Sequence, residues 1–463
     1  MIESPHPAFA WLATLAVVAV LSLPTDAQAA GGLFNPPHGV KTMGRAGAAV
    51  AGPADLNALW YNPALIAGLP DGSHELLLDA NIVYQGVRFE RAPRTFDNGR
   101  TQFYRPVENE ATPIPVPQIA YASDFGLRDV HFALGMYGPN GANSKYPVDG
   151  PQRYVIVDTE GSLIFSTQLA VAWEPVHWLR LGAGLVNHTF ILRRALVLSA
   201  YPGFAGDPED EEFDALLVSE ANVPINPTGI LGLWAQAPGG FEVGASFLFP
   251  KHVEDRETTV EQRLPSHPLF DDAEVHGNSV VASFDLPAFL RVGARYVQPR
   301  WDLELDFVYE VHSGFKKIGT RPNGITVSGI PGIGEIPIGS LDVPRNFTNS
   351  VGFRLGGDYH LVEGELTLRA GALYESSAIP DETQSVLQVD ADKIGVSLGG
   401  SWEVADAVSL DFGYTHLFFF ERTVSNSIMT QLNPTNPEGA IVVGNGTYST
   451  SVDMLGVGVR LHL

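Results

Sequence analysis

The segment Trp301–Glu310, WDLELDFVYE, decides the fold. Trp301, Leu303, Leu305, Phe307 and Tyr309 share one parity; Asp302, Glu304, Asp306 and Glu310 share the other, with Val308 the exception. A period of two residues is that of a β-strand, whose successive side chains project to opposite faces. Two architectures use it. A soluble sandwich buries the apolar face and wets the charges. A membrane barrel turns its apolar face to lipid and its polar face to the lumen. The alternation fits both, so the connections between strands decide.

Similar strand-like segments run from 74–91 to 447–463, about fourteen in all, an even number as bacterial outer-membrane barrels have. They include 226–237, 240–262, 276–298 and 301–316. Pro238-Gly239, Pro299-Arg300, Val362-Glu363 and Ala405-Asp406 read as tight turns. Between them lie the long segments 92–113, 139–161, 194–225, 317–345 and 425–446. Short turns at one end and long loops at the other are the pattern of an outer-membrane barrel. Trp173, Trp178, Trp234, Trp301 and Trp402 all fall near short turns, where an interfacial aromatic girdle belongs. Leu417-Phe418-Phe419-Phe420 lies at the opposite end of its strand, where an outer girdle would sit.

Composition narrows the function classes. The chain has 463 residues, no cysteine and a formal net charge of −24. Thiolate metal sites and disulfides are absent, and a nucleic-acid partner, which needs a basic face, is disfavoured. No run after the first thirty residues is apolar for the length of a membrane helix. Residues 1–30 read as a secretory signal: Phe9–Leu23 is the apolar region and Ala27-Gln28-Ala29 the small-residue cleavage site. Met1–Pro7 depart from the pattern by carrying Glu3 and no Lys or Arg.

Between leader and strands lies Gly39–Leu69, GVKTMGRAGAAVAGPADLNALWYNPALIAGL. It is Gly/Ala-rich and poor in charge. Gly44, Gly47 and Gly52 permit close backbone approach, and Pro63 biases Asn62 toward an extended conformation. The expectation is a compact plug, residues 31–70, inside a barrel formed by 71–463.

This stretch resembles the N-terminal hatch of the FadL-type family of outer-membrane channels. The matching residues are Gly44-Arg45-Ala46-Gly47-Ala48, Asp55, Asn57, Tyr61 and Asn62-Pro63-Ala64. Further similarity lies at Gly150–Tyr154, Leu286–Gly293 and Leu368–Asp381. The resemblance implies an all-β transmembrane antiparallel barrel with a luminal hatch in the outer membrane. It implies passive uptake of long-chain fatty acids or aromatic hydrocarbons by a monomer, without chemistry or cofactor, among outer-membrane lipid and lipopolysaccharide. It assigns gating to Gly44, Gly47, Asn57, Asn62, Pro63 and Ala64. A kinked third strand with a side window would fall at Gly135, Gly138, Pro139 and Gly141, near the Asn-Pro-Ala end of the hatch. An outer hydrophobic groove would involve Phe213, Leu216, Leu217 and Val218, an apolar set at helical spacing.

Other constellations carry competing readings. Arg180, Arg291, Arg295, Arg354, Arg369 and Arg460 accompany Asp302, Glu304, Asp306, Glu365, Glu375 and Asp411 on luminal faces. An ion-pair network is favoured over a ladder of headgroup sites, because charges inside a barrel need partners. Gly395-Val396-Ser397-Leu398-Gly399 matches G-x-S-x-G, but mid-strand rather than on the strand-turn-helix of a nucleophile elbow. An outer-membrane lipid hydrolase and an open polar porin are therefore the alternatives. The acidic run Asp207–Asp214 lacks the spacing of a calcium loop and reads as a solvated external loop.

Overall fold

The computed structural model describes residues 37–138, 143–204, 206–332, 334–434 and 436–463; the expected leader lies outside them. Fourteen antiparallel strands close on themselves. They are β1 His74–Arg91, β2 Ile114–Ser123, β3 Val130–Tyr137, β4 Leu163–Val176, β5 Leu179–Ser199, β6 Pro227–Ala237 and β7 Phe241–Leu248. The circuit continues with β8 Ala288–Gln298, β9 Trp301–Val311, β10 Ser350–Val362, β11 Leu366–Glu375, β12 Lys393–Ala405, β13 Val408–Phe419 and β14 Gly446–His462. Each pairs with the next, and β1 pairs with β14 from Glu75↔His462 to Arg91↔Gly446, so the sheet closes into a cylinder. No helix among the described residues is long and apolar enough to cross a membrane.

Burial resolves what periodicity left open. Along β9 the charges point inward: Glu304 and Asp306 are 0% exposed, whereas Leu303 and Leu305 are 48% and 53% exposed. That is the inversion expected of a wall facing hydrocarbon. Val308, out of step in the sequence, joins an inward apolar cluster with Val186, Ile230, Leu248 and Phe289.

Two long segments read as single strands are in fact broken. The segment 240–262 divides at Phe249-Pro250 into β7 and Lys251–Arg263, and 276–298 divides at Pro287 into Ser279–Leu286 and β8. Proline has no N–H for the ladder, so the sheet parts there. Above the break the outer half of β5 pairs with Asp214–Val223, then Lys251–Arg263, Ser279–Leu286 and Lys317–Pro322 follow in order. This second sheet rises from the barrel on the side of the long connections. A further long connection, 376–392, joins it there.

The girdle expectation needs one correction. Trp173, Trp301 and Trp402 are exposed near the short turns, but Trp234 is buried on the inward parity of β6. The Arg180 guanidinium lies 4.1 Å from its ring centroid. Proximity to a turn fixes height along the barrel, not the face.

Candidate functional site

Residues 37–69 pack against the inward faces of the strands as short helices, Val40–Met43 and Ala58–Tyr61, and one 3-10 turn, Pro63–Gly68. A segment this poor in apolar bulk needs polar anchors, and β9 supplies them. Arg45 donates to Asp302 and Glu304, each at 2.8 Å, and to Asp358 of β10. Its Nε donates to the Ala48 carbonyl at 2.9 Å. The amides of Ala49 and Val50 donate to Asp306 at 2.8 and 3.1 Å, and that of Ala51 to Glu304 at 2.7 Å. On the other side the Val40 amide donates to Asp79 of β1 at 2.9 Å.

The barrel makes room for this backbone with inward glycines. A methyl group at Gly356 would lie 2.3 Å from the Arg45 carbonyl oxygen, and one at Gly371 2.4 Å from its carbon. At Gly244 it would lie 2.0 Å from the Val50 oxygen, and at Gly182 2.3 Å from the Ala64 nitrogen. Gly399 and Gly413 approach Gly44 and Val40 in the same manner. Sequence reading assigned glycine to the plug and missed its counterpart in the wall. The available signal was glycine recurring on the polar parity of successive strands.

The named hatch residues come together in part. Gly44 lies against Gly399, and Gly47 adopts φ +79° beside Tyr61. Asn57 is buried near Asp55, which pairs with Lys41 at 3.2 Å. Asn62 caps the turn through Ala64 and donates to the Val50 and Leu233 carbonyls at 2.8 and 2.9 Å. Leu233 is on β6, so the Asn62 side chain bonds to β6 and not to the third strand that the resemblance places near it. The residue against Gly135 is Leu59, 2.4 Å from where a methyl would stand.

The strand β3 ends at Tyr137. Its pairing with β2 spans Ser123↔Phe132 to Gln118↔Tyr137, leaving 114–117 of β2 without a partner on that side among the described residues. Gly138 follows, with Val116 against it; Pro139 and Gly141 lie outside the described residues. Pro115 and Pro117 stand in this stretch and have no N–H to donate.

Above the luminal segment is a cavity of about 640 Å³. Its wall is mainly apolar, with Phe190, Leu217, Val253, Val280, Phe284 and Phe315 among the lining residues. It extends to Pro115, Pro117, Gly138 and Leu163, beside the end of β3. Three arginines, Arg193, Arg194 and Arg345, and one carboxylate, Asp255, line it; Arg193 pairs with Asp158. Arg194 donates to the Val155 carbonyl at 2.7 Å and Arg345 to the Ser385 hydroxyl at 3.3 Å. Among the described residues neither of these two pairs with a carboxylate, and Arg194 Nε and Arg345 Nε and Nη2 have no hydrogen-bond partner. Burial, then the charge of Arg194, lowers the pKa of Arg345. That depression reflects the cost of keeping a cation there without a counter-ion. Both arginines were absent from the sequence-derived list, since nothing local distinguishes an unpaired arginine.

The expected groove is differently built. Phe213 is buried against Ala200, Phe270 and Ile330 and stacks on His267 at 4.6 Å. Leu216, Leu217 and Val218 lie on a strand, not a helix, so they split: Leu217 lines the cavity, and Leu216 and Val218 pack on a separate apolar cluster. The acidic run is likewise not simply solvated. Glu209 pairs with Arg91 at 2.5 Å and Asp214 with Arg153 at 2.7 Å.

Of the luminal arginines, Arg180 pairs with Glu174, Arg295 with Glu242 and Asp302, Arg354 with Glu375, Arg369 with Asp358 and Arg460 with Asp411. Arg291 instead lies near the Phe289 and Trp60 rings, 4.8 and 5.1 Å from their centroids. Ser397 sits mid-strand on β12 and its hydroxyl meets that of Thr415 at 2.7 Å.

Residues 260–460 match the family model described as outer membrane protein transport protein (OMPP1/FadL/TodX). No curated protein matches the sequence. Among solved structures, a Pseudomonas aeruginosa FadL homologue superposes with a TM-score of 0.75 at 16% identity, covering 93% of this chain and 99% of that one. The P. putida toluene transporter TodX gives 0.63 at 15% identity, covering 92% and 98%. The CymD monoaromatic hydrocarbon channel gives 0.60 at 14%, covering 92% and 97%. At these identities the likeness establishes the fold.

Proposed function

We propose that the chain is an outer-membrane β-barrel of the FadL/TodX type and a passive channel for amphiphiles with a long apolar body and an anionic head, long-chain fatty acids being the simplest case. The observation that carries this is the pair Arg194 and Arg345 facing an apolar cavity without a carboxylate partner. An apolar pocket with a few convergent polar groups is the usual form of a ligand site. A purely hydrocarbon ligand would leave these guanidinium donors stranded, whereas a carboxylate satisfies them with charge-assisted bonds.

In this reading the hatch expected over 31–70, of which 31–36 lie outside the described residues, closes the lumen, with Gly44, Gly47, Asn57, Asn62, Pro63 and Ala64 shaping it. The lateral exit from the cavity toward the bilayer then lies beside 114–117 of β2, which have no partner on the β3 side among the described residues. A sheet closed on itself from β1 to β14 supports a monomer, surrounded by outer-membrane lipid and lipopolysaccharide. Oleate binding to detergent-extracted protein tests the reading, with toluene as the uncharged comparison. Arg194→Met with Arg345→Met should weaken oleate at least about tenfold, since bonds to charged groups contribute about 1.5–3 kcal/mol each. Toluene binding should stay unchanged. Unaltered oleate binding in the double variant would remove the preference for an anionic head.

A further inference from the structure

The luminal segment ends at Pro70-Asp71, and there the structure gathers three donors from separate elements. Asp71 leads into β1, Asp124 opens the β2–β3 turn, and His131 is the second residue of β3. One oxygen from each carboxylate and one ring nitrogen lie within 4.8 Å of one another.

The acidic pair alone would mean little. The histidine changes that. His131 is 1% exposed, yet neither ring nitrogen has a hydrogen-bond partner among the described residues. Stranding a buried imidazole is costly unless something meets it. Asp124 is held toward it by two amides, Gly72 at 2.7 Å and Gly126 at 2.9 Å, which leave lone pairs free on both oxygens. Asp71 is exposed and gives the site a face to water.

We propose that Asp71, Asp124 and His131 bind a zinc ion that clamps the end of the luminal segment to the foot of β3. Imidazole together with carboxylates suits zinc better than calcium or magnesium, which favour all-oxygen sets. In a tetrahedral zinc site the donors stand roughly 3.4 Å apart, so side-chain rotations close the present span. Water from the Asp71 side takes the fourth position.

The test uses untagged, chelator-stripped mature protein in detergent, titrated with Zn2+ against a chromophoric competitor. One equivalent should bind. Asp71→Asn, at an exposed position that the fold does not depend on, should weaken binding at least about tenfold, by analogy with lost zinc-site groups. His131→Gln should do the same with heat-modifiable gel mobility unchanged. Affinity equal to wild type in Asp71→Asn overturns the proposal, as does saturation by Ca2+ that Zn2+ fails to displace. Zinc should also slow amide exchange at Leu69–Ser73 in wild type and not in Asp71→Asn. Neither readout involves transport, so failure here leaves the channel reading standing.

Discussion

Arg45 and Asp302 meet at 2.8 Å across 257 residues of sequence, both nearly without solvent contact. The pair joins the luminal segment to the strand whose alternation defines the barrel. Asp302 also accepts from Arg295 at 3.0 Å, so the carboxylate belongs to segment and wall at once.

Arg45→Met should release the segment without dissolving the barrel. Removing one partner of a buried ion pair costs about 3–5 kcal/mol, because the other charge stays buried. Asp302, Glu304 and Asp358 all lose their shared cation. Amides 40–51 should exchange faster and single-channel conductance should rise, while strand amides stay protected. Unchanged exchange would mean that the segment is held by the remaining contacts alone.

The inward glycines make a sharper claim. Gly371→Val places side-chain atoms where the Arg45 backbone lies, and backbone cannot swing aside. Gly352→Ala on β10 is the control, since its methyl meets nothing closer than 3.5 Å. Increased permeability to small polar solutes is expected in the first and not the second, with both barrels folded by gel mobility. Equal permeability would show that the wall and segment are not in close register.

Asn62→Ala should loosen the turn that its side chain ties to β6. It removes the donor from the Val50 and Leu233 carbonyls, and a buried group left unsatisfied costs about 1–3 kcal/mol. Faster exchange is expected at Leu65 and Leu69, with β3 amides unaffected. Loosening confined to β3 would contradict the observed contact.

Membrane orientation is open to labelling, as the chain has no native cysteine. Phe204→Cys and Glu335→Cys lie in exposed long connections, Asp406→Cys in an exposed short turn. On intact cells an impermeant maleimide should modify the first two and spare the third. The reverse pattern would invert the barrel.

Much of this was legible in the chain. The alternation at Trp301–Glu310, the short and long connections and the Gly/Ala-rich segment before the first strand gave the architecture, because strand parity and turn chemistry are local properties. The same locality explains the errors. A segment such as 240–262 alternates over Phe241–Phe247 and carries no tight-turn signal, yet Pro250 breaks its ladder, and the apolar run at Leu216–Val218 reads equally well at helical spacing until a partner strand fixes its parity.

What sequence alone determined was therefore which residues share a face of a strand, since a two-residue period leaves only two sides; the burial of Glu304 and Asp306 in the closed barrel decided which face is the lumen's. Which luminal residues meet was decided by closure of the barrel. Arg45 finds Asp302 and Asn62 finds Leu233 rather than β3 only because fourteen strands bring distant positions to one height, and the path of the long connections leaves Arg194 and Arg345 without carboxylates among the described residues. Contacts across a lumen depend on the register of every strand between them, and no local pattern carries that sum.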